Sequence, residues 1–275
     1  MRTVPQVVAI QMCSGVDPEV NFAYLSKQLE LLEISSPTLV CLPESWLAFS
    51  HTSSDTLALS QSNWQWIEKL KLLCQHHGIW LAAGTIALPY KDGQYYAASI
   101  LLNDKGNIVA QYNKIHLFDV DVDDGSTGYR ESTHTVAGRD VVVVDSPFGK
   151  IGLSVCYDVR FAGLYHTMVE QGAQLLLVPS AFTVVTGVAH WQPLLQARAI
   201  ETQCYVIAAA QTGVHENGRK TFGHSLILSP WGTVLADAGK APKVIQSDID
   251  LVELMQIRTK MPVLAHNRFK SEFYE

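Results

Sequence analysis

Cysteines are few in this chain, and none stand close together. Five (Cys13, Cys41, Cys74, Cys156 and Cys204) are spread over 275 residues. That odd count, with no C-x-x-C spacing, argues against a disulfide frame or a thiolate zinc site and for a reducing compartment. A basic tract is also missing, and the formal net charge is -6. Nucleic acid and anionic membranes both select clustered cations, so neither is expected as a partner. No apolar run approaches the length of a membrane span. Residues 1–12 lack the charged start, long apolar middle and small-residue cleavage site of a secretory signal. The expectation is a soluble, cytoplasmic protein. H-E-x-x-H and P-loop patterns are absent as well.

What is present is a globular composition, 48% hydrophobic and 17% charged, sufficient for a large core. Strand-like runs alternate with helical patterns. Residues 4–12 read as a strand, 17–33 as a helix with Phe22, Leu25, Leu29 and Leu32 on one face, and 38–44 as a buried strand. A helix over 63–77, with Trp64, Ile67, Leu70 and Cys74 at helical spacing, leads into strands joined by turns at Asp92-Gly93 and over 104–107. The second half repeats this grammar. VVVVD turns at PFGK into IGLSVC, helices follow over 161–172 and 190–203, and antiparallel runs surround NGRK and PWGT. The repetition predicts an α/β fold of two similar layers in a single domain, 1–275. The polar stretch 119–138 is read as a loop between the halves, and 261–275, without periodicity, as a C-terminal arm.

Three reactive residues close strands: Glu44 after TLVCLP, Lys114 after IVAQYN and Cys156 after IGLSV. In βα units ligands gather beyond the carboxyl ends of strands, so residues far apart in sequence can share one rim. Taken singly each has a plain alternative: a core cysteine, a solvated loop carboxylate, a lysine guarding a strand edge. Together they suit acyl transfer. A thiol near pKa ~8.5 is mostly protonated at neutral pH; a neighbouring ammonium lowers that value and a carboxylate takes the proton. Glu44 would be the base and later return the proton to a leaving amide nitrogen. Lys114 would stabilise the thiolate or the oxyanion, with the N–H of Tyr157 as a second donor.

The blocks LPES (42–45), YNKIHLFD (112–119) and GLSVCYDVRF (152–161) resemble, in order, the three catalytic blocks of the nitrilase, or carbon-nitrogen hydrolase, superfamily. The resemblance implies a four-layer α-β-β-α sandwich with two pseudo-symmetric halves, a Glu-Lys-Cys triad, no metal or organic cofactor, and assembly as a homodimer. It implies Glu44 as base, Lys114 as oxyanion partner and Cys156 as nucleophile. It also suggests Glu131 in YRES as a second carboxylate that orients Lys114 and the attacking water, with Asp119, Asp121, Asp123, Asp124 and Asp140 competing on composition alone.

The stretches 180–213 and 223–236 are most similar to the branch that holds deaminated glutathione amidases and ω-amidases, which cleave the γ-amide of a 2-oxoglutaramate unit. A small-molecule amide of the first kind is the expected substrate, with α-ketoglutaramate, N-carbamoyl compounds and nitriles as alternatives. An anionic substrate end calls for cations and N–H donors, which nominates Arg160, Ala181, Phe182 and Thr183 as wall residues beside Tyr157. Arg160 could instead pair with Asp158 or with a helix-face carboxylate. GLSVC nearly spells a serine-hydrolase elbow, but its fifth residue is Cys156 and Ser154 runs along the strand. A Cys-His dyad could draw on ten histidines, among them His116, His190 and His224, but His116 lies two positions past Lys114 and neither His190 nor His224 has an orienting partner apparent in the sequence. A silent binding protein of the same fold would most cheaply have lost one of the three reactive residues.

Overall fold

The computed structural model describes residues 4–123 and 128–274. Two sheets pack face to face. The first carries β1 (Gln6–Gln11), β2 (Thr38–Cys41), β3 (Trp80–Ala82), β4 (Ile86–Pro89), β5 (Tyr95–Leu102) and β6 (Ile108–Asn113). The second carries β7 (Val143–Val144), β8 (Ile151–Leu153), β9 (Leu175–Leu177), β10 (Tyr205–Ala208), β11 (Leu226–Leu228) and β12 (Val234–Asp237). In each, three neighbouring strands are parallel, β1-β2-β3 and β8-β9-β10, and antiparallel strands flank them. This is the doubled arrangement that the repeated pattern predicts.

Helices serve as crossovers: α1 (Pro18–Glu30) and α3 (Trp64–His77) between strands of the first sheet, α4 (Ala162–Glu170) and α5 (Gln192–Thr202) between strands of the second. The α1 helix starts where Asp17 accepts from the Glu19 N–H and Pro18 fills a first-turn position. Side chains alternate across β1. Val7 and Ala9 join a core shared with Leu153, Leu177 and Ala208 of the other sheet, while Val8 and Ile10 face Leu25 and Leu29 of α1 and Ile67 and Leu70 of α3. Strands buried on both faces with helices outside make an α/β sandwich of four layers.

Several expectations need correction. In α3 the buried aromatic is Trp66, and Trp64 is exposed at the first helical residue. Cys41, Cys74 and Cys204 are packing residues, but Cys13 is exposed, because β1 ends at Gln11 and the chain leaves the sheet there. The halves are not each self-contained. After β12 the chain returns as β13 (Lys243–Asp248) and pairs antiparallel with β1 at the edge of the first sheet. Two helices carry no signal in the reading above: α2 (Ser53–Ser60), with a Thr52/Asp55 capping box, and α6 (Leu251–Lys260), capped by Asp250. Within 119–138 a short ladder joins Asp119–Val120 to Tyr129–Arg130, and Glu131–Thr133 form one tight helical turn. In the C-terminal segment, Val263–His266 make a single turn and Phe269 lies exposed.

Candidate active site

The site lies at the seam between the sheets, where the segments following β2, β6 and β8 meet. Two close approaches shape it. A side-chain carbon at Gly84 would collide with the Pro43 carbonyl, and one at Gly138 with the Asn113 carbonyl, so both glycines let neighbouring backbone press against the residue preceding Glu44 and the residue preceding Lys114. Ser45 and Cys156 both hold left-handed backbone, at φ of 53° and 46°. For non-glycine residues this conformation is costly and must be imposed by the surroundings. It turns the chain sharply at Cys156, which opens a short 3-10 helix, Cys156–Arg160, directly after β8 and the extended Val155.

Lys114 is 2% exposed. Its Nζ donates to Glu44 Oε1 at 2.8 Å and to Glu131 Oε2 and Oε1 at 2.8 and 3.1 Å. The other Glu44 oxygen accepts from the Ala181 N–H at 2.9 Å, and Glu131 Oε2 also accepts from the Phe118 N–H at 2.7 Å. Burial pulls the Lys114 ammonium down, but the Glu131 and Glu44 carboxylates outweigh it and hold the lysine well above its ordinary value. Burial pushes the Glu131 carboxyl up and Glu44 adds to the rise, with Lys114 opposing. The Cys156 thiol lines the same cavity as Glu44 and Lys114 and feels both charges. Burial and then the Glu44 charge raise it well above an ordinary thiol, and Lys114 opposes without prevailing. This corrects the expectation of a thiol lowered by its ammonium neighbour. The arrangement sets a thiol beside a carboxylate able to take its proton.

A third carboxylate braces the turn at Cys156. Asp158 is fully buried and accepts from the Tyr112 hydroxyl at 2.7 Å, the Val155 N–H at 2.8 Å and the His116 N–H at 3.1 Å, with His116 Nδ1 at 2.6 Å. It thereby ties the lysine segment to the cysteine turn, and it is not a partner for Arg160. That arginine meets His190 Nδ1 at 3.2 Å and lies over the rings of Phe182 and Tyr157. Beyond the end of β10, Gln211 donates to the Glu44 carbonyl at 3.0 Å and accepts from the Ser14 N–H at 3.1 Å.

Glu44, Lys114, Glu131, Cys156, Tyr157, Arg160, Ala181, Phe182 and Thr183 all line one cavity of about 520 Å³, a size suited to a small organic ligand. Ala181, Phe182 and Thr183 form a buried wall; the Ala181 N–H is engaged by Glu44, and Thr183 caps a helical turn by accepting from the Thr186 N–H. Of the competing carboxylates, Asp119 accepts from the Ser132 N–H and Asp121 pairs with Arg130, while Asp124 lies outside the described residues. Ser154 is buried, donating to the Leu177 carbonyl and bonded to the Tyr165 hydroxyl. His224, which shows no partner in the sequence, lies 3.1 Å from Asp237. Phe49, Tyr95, Arg130 and Arg219 also line the cavity; no local pattern marks them, since they come from two loops and two strands brought together only by folding. Among the described residues no group of His, Cys, Asp and Glu is arranged to hold a metal ion.

A two-sheet α/β sandwich whose seam buries a thiol, a lysine and two carboxylates has the frame of an amide or nitrile hydrolase. The chain belongs to the carbon-nitrogen hydrolase family, whose model matches residues 7–259. It is 38% identical over 268 residues to the deaminated glutathione amidase of Yersinia enterocolitica, covering 96% of this chain and 93% of that one. It is 42% identical over 266 residues to the deaminated glutathione amidase of a Synechocystis strain, covering 95% and 97%. Among solved structures, the C. elegans NitFhit protein superposes with a TM-score of 0.89 at 37% identity, over 98% of this chain and 66% of that one. Saccharomyces cerevisiae Nit3, a member of branch 10 of the nitrilase superfamily, gives 0.85 at 27% identity over 97% of both.

Proposed function

We propose that this protein is a deaminated glutathione amidase, hydrolysing the amide that joins a 2-oxoglutaryl group to cysteinylglycine. The observation that carries the reading is the Lys114 ammonium bonded to both Glu44 and Glu131 beside the Cys156 thiol; the names of the relatives supply the substrate. Cys156 Sγ attacks the γ-carbonyl carbon and its proton passes to Glu44. The oxyanion is stabilised by Lys114, with the Tyr157 N–H as second donor. Glu44 returns the proton to the amide nitrogen, the C–N bond breaks, and cysteinylglycine leaves. Water then loses a proton to Glu44 and attacks the thioester, and the thiolate departs and is reprotonated as 2-oxoglutarate forms. Glu131 holds Lys114 in place and orients the water. Arg160 receives the 2-oxoacid carboxylate of the acyl half, with Phe182 and Thr183 as wall.

The test is kcat/KM on deaminated glutathione and on α-ketoglutaramate, following the 2-oxoglutarate that both release. A clear preference for the first is expected. Preference for the second would make the protein an ω-amidase, and turnover of neither would overturn the substrate assignment. The working form is a cytoplasmic homodimer. Five unpaired cysteines support the compartment, and the exposed Val185, Val188 and Ile200 on the segment 184–202 support a self-association face. No helix among the described residues is long and apolar enough to cross a membrane.

A further inference from the structure

Three arginines line the cavity. Arg130 is neutralised by Asp121 at 2.9 Å. Among the described residues, neither Arg160 nor Arg219 forms an ion pair with a carboxylate, and both are held by aromatic rings instead. The Arg219 guanidinium lies 4.9 Å from the ring centres of both Phe49 and Tyr129, half-buried between them. Its backbone is fixed as well. The Arg219 N–H donates to Asn217 Oδ1 at 3.0 Å, and Asn217 Nδ2 donates to the Ser50 carbonyl at 2.8 Å, which pins the turn between the antiparallel runs Thr212–Val214 and Lys220–Phe222 to the chain beside Phe49. Such an arginine is pre-organised with its hydrogen-bonding fork unspent, the form in which guanidinium recognises a carboxylate.

A row of rings connects the two arginines. Tyr129 touches Phe118 at 5.1 Å, Phe118 touches Tyr157 at 5.1 Å, and Arg160 lies 5.8 Å from the Tyr157 ring centre. Arg160 stands in the same short helical turn as Cys156, whereas Arg219 stands beyond three rings. Resting on the deaminated glutathione reading, we infer that Arg219 is the specificity-determining residue for the leaving group, binding the terminal carboxylate of the cysteinylglycine half. The substrate carries one carboxylate on a short acyl arm and another on a longer dipeptide arm, which matches one near and one distant arginine without a counter-ion. A primary amide such as α-ketoglutaramate has nothing to offer Arg219.

The experiment compares wild type, Arg219→Gln and Arg219→Lys on deaminated glutathione, on its C-terminal carboxamide analogue and on α-ketoglutaramate. Wild type is expected to favour the acid over the carboxamide. In Arg219→Gln the preference for deaminated glutathione over α-ketoglutaramate should shrink roughly 10- to 100-fold, mostly through KM, as for a lost charged hydrogen bond. Discrimination between acid and carboxamide should vanish with it, and Arg219→Lys should recover part of both. Wild type that treats acid and carboxamide alike, or an Arg219→Gln enzyme that keeps its preference, overturns the inference while the functional reading stands. Wild type that does not prefer deaminated glutathione over α-ketoglutaramate removes the functional reading itself, and this inference with it.

Discussion

The floor and the mouth of the cavity handle charge in opposite ways. On the floor, Lys114 is 2% exposed and every charged group has a partner of opposite sign or an N–H at close range. At the mouth, Arg160 and Arg219 are half-buried and rest on aromatic faces. A charge withdrawn from water must be compensated inside the fold, so the floor forms a closed network that the protein itself satisfies. Charges near water can be left uncompensated at modest cost, and at the mouth two arginines form no ion pair with a carboxylate among the described residues. Variants in the two regions should therefore fail differently.

The largest effect is expected for Cys156→Ala. Turnover should fall by about four orders of magnitude or more, as for loss of a nucleophile, while circular dichroism and the unfolding midpoint stay near wild type. Retained hydrolysis would falsify the nucleophile assignment. Next comes Lys114→Met, which removes the cation facing Glu44 and Glu131. An activity loss of ~10²-fold or more is expected, together with about 3 kcal/mol of stability from stranding buried carboxylates. Denaturant unfolding checks the second part, and an unchanged midpoint would show that the floor is not the closed network described here.

Asp158→Asn sharpens the boundary, because Asp158 is fully buried behind the cavity lining. An amide in its place keeps one acceptor oxygen and turns its hydrogens either against the Val155 N–H and Tyr112 hydroxyl or against the His116 N–H. A loss of about 1–3 kcal/mol is expected, with kcat lowered more than KM is raised because the turn bearing Cys156 loosens; a pure KM effect would contradict that placement. The smallest effect concerns pH. His215, stacked on Phe49 and bonded to Thr221 and Ser14, is held below the ordinary histidine value by burial, partly opposed by its bond to the Ser14 carbonyl. Since the folded state binds this proton less readily than the unfolded one, stability is complete above the unfolded value near ~6.5 and is lost as pH falls below it. The unfolding midpoint should drop between pH 7.5 and 5.5, and His215→Gln should show a shallower drop. An identical slope in the two proteins would remove His215 as the cause.

The residues of the floor were legible because three short blocks at strand ends carry them and because each is a reactive type in a place where apolar patterning stops. Glu131 was less so. It lies in a polar stretch with several other carboxylates, and only the close approach to Lys114 separates it from Asp119 and Asp121. Arg219 was invisible, since a cation after a hairpin turn reads as solvated wherever it occurs. The helix over Leu251–Lys260 was missed for a related reason, with few buried residues and one packed anchor, Leu254, to set its period.

By itself the sequence determined the alternation of strands and helices, the doubling of the pattern and the chemical types at the strand ends, because periodicity and local turn chemistry act over a few neighbouring residues. Only the tertiary structure decided that β13 returns to the first sheet, that Asp158 serves the turn rather than Arg160, that burial raises the Cys156 thiol despite its lysine neighbour, and which arginines form no ion pair among the described residues. Those outcomes depend on desolvation and on contacts between residues far apart in the chain, and such quantities have no value until the chain has folded.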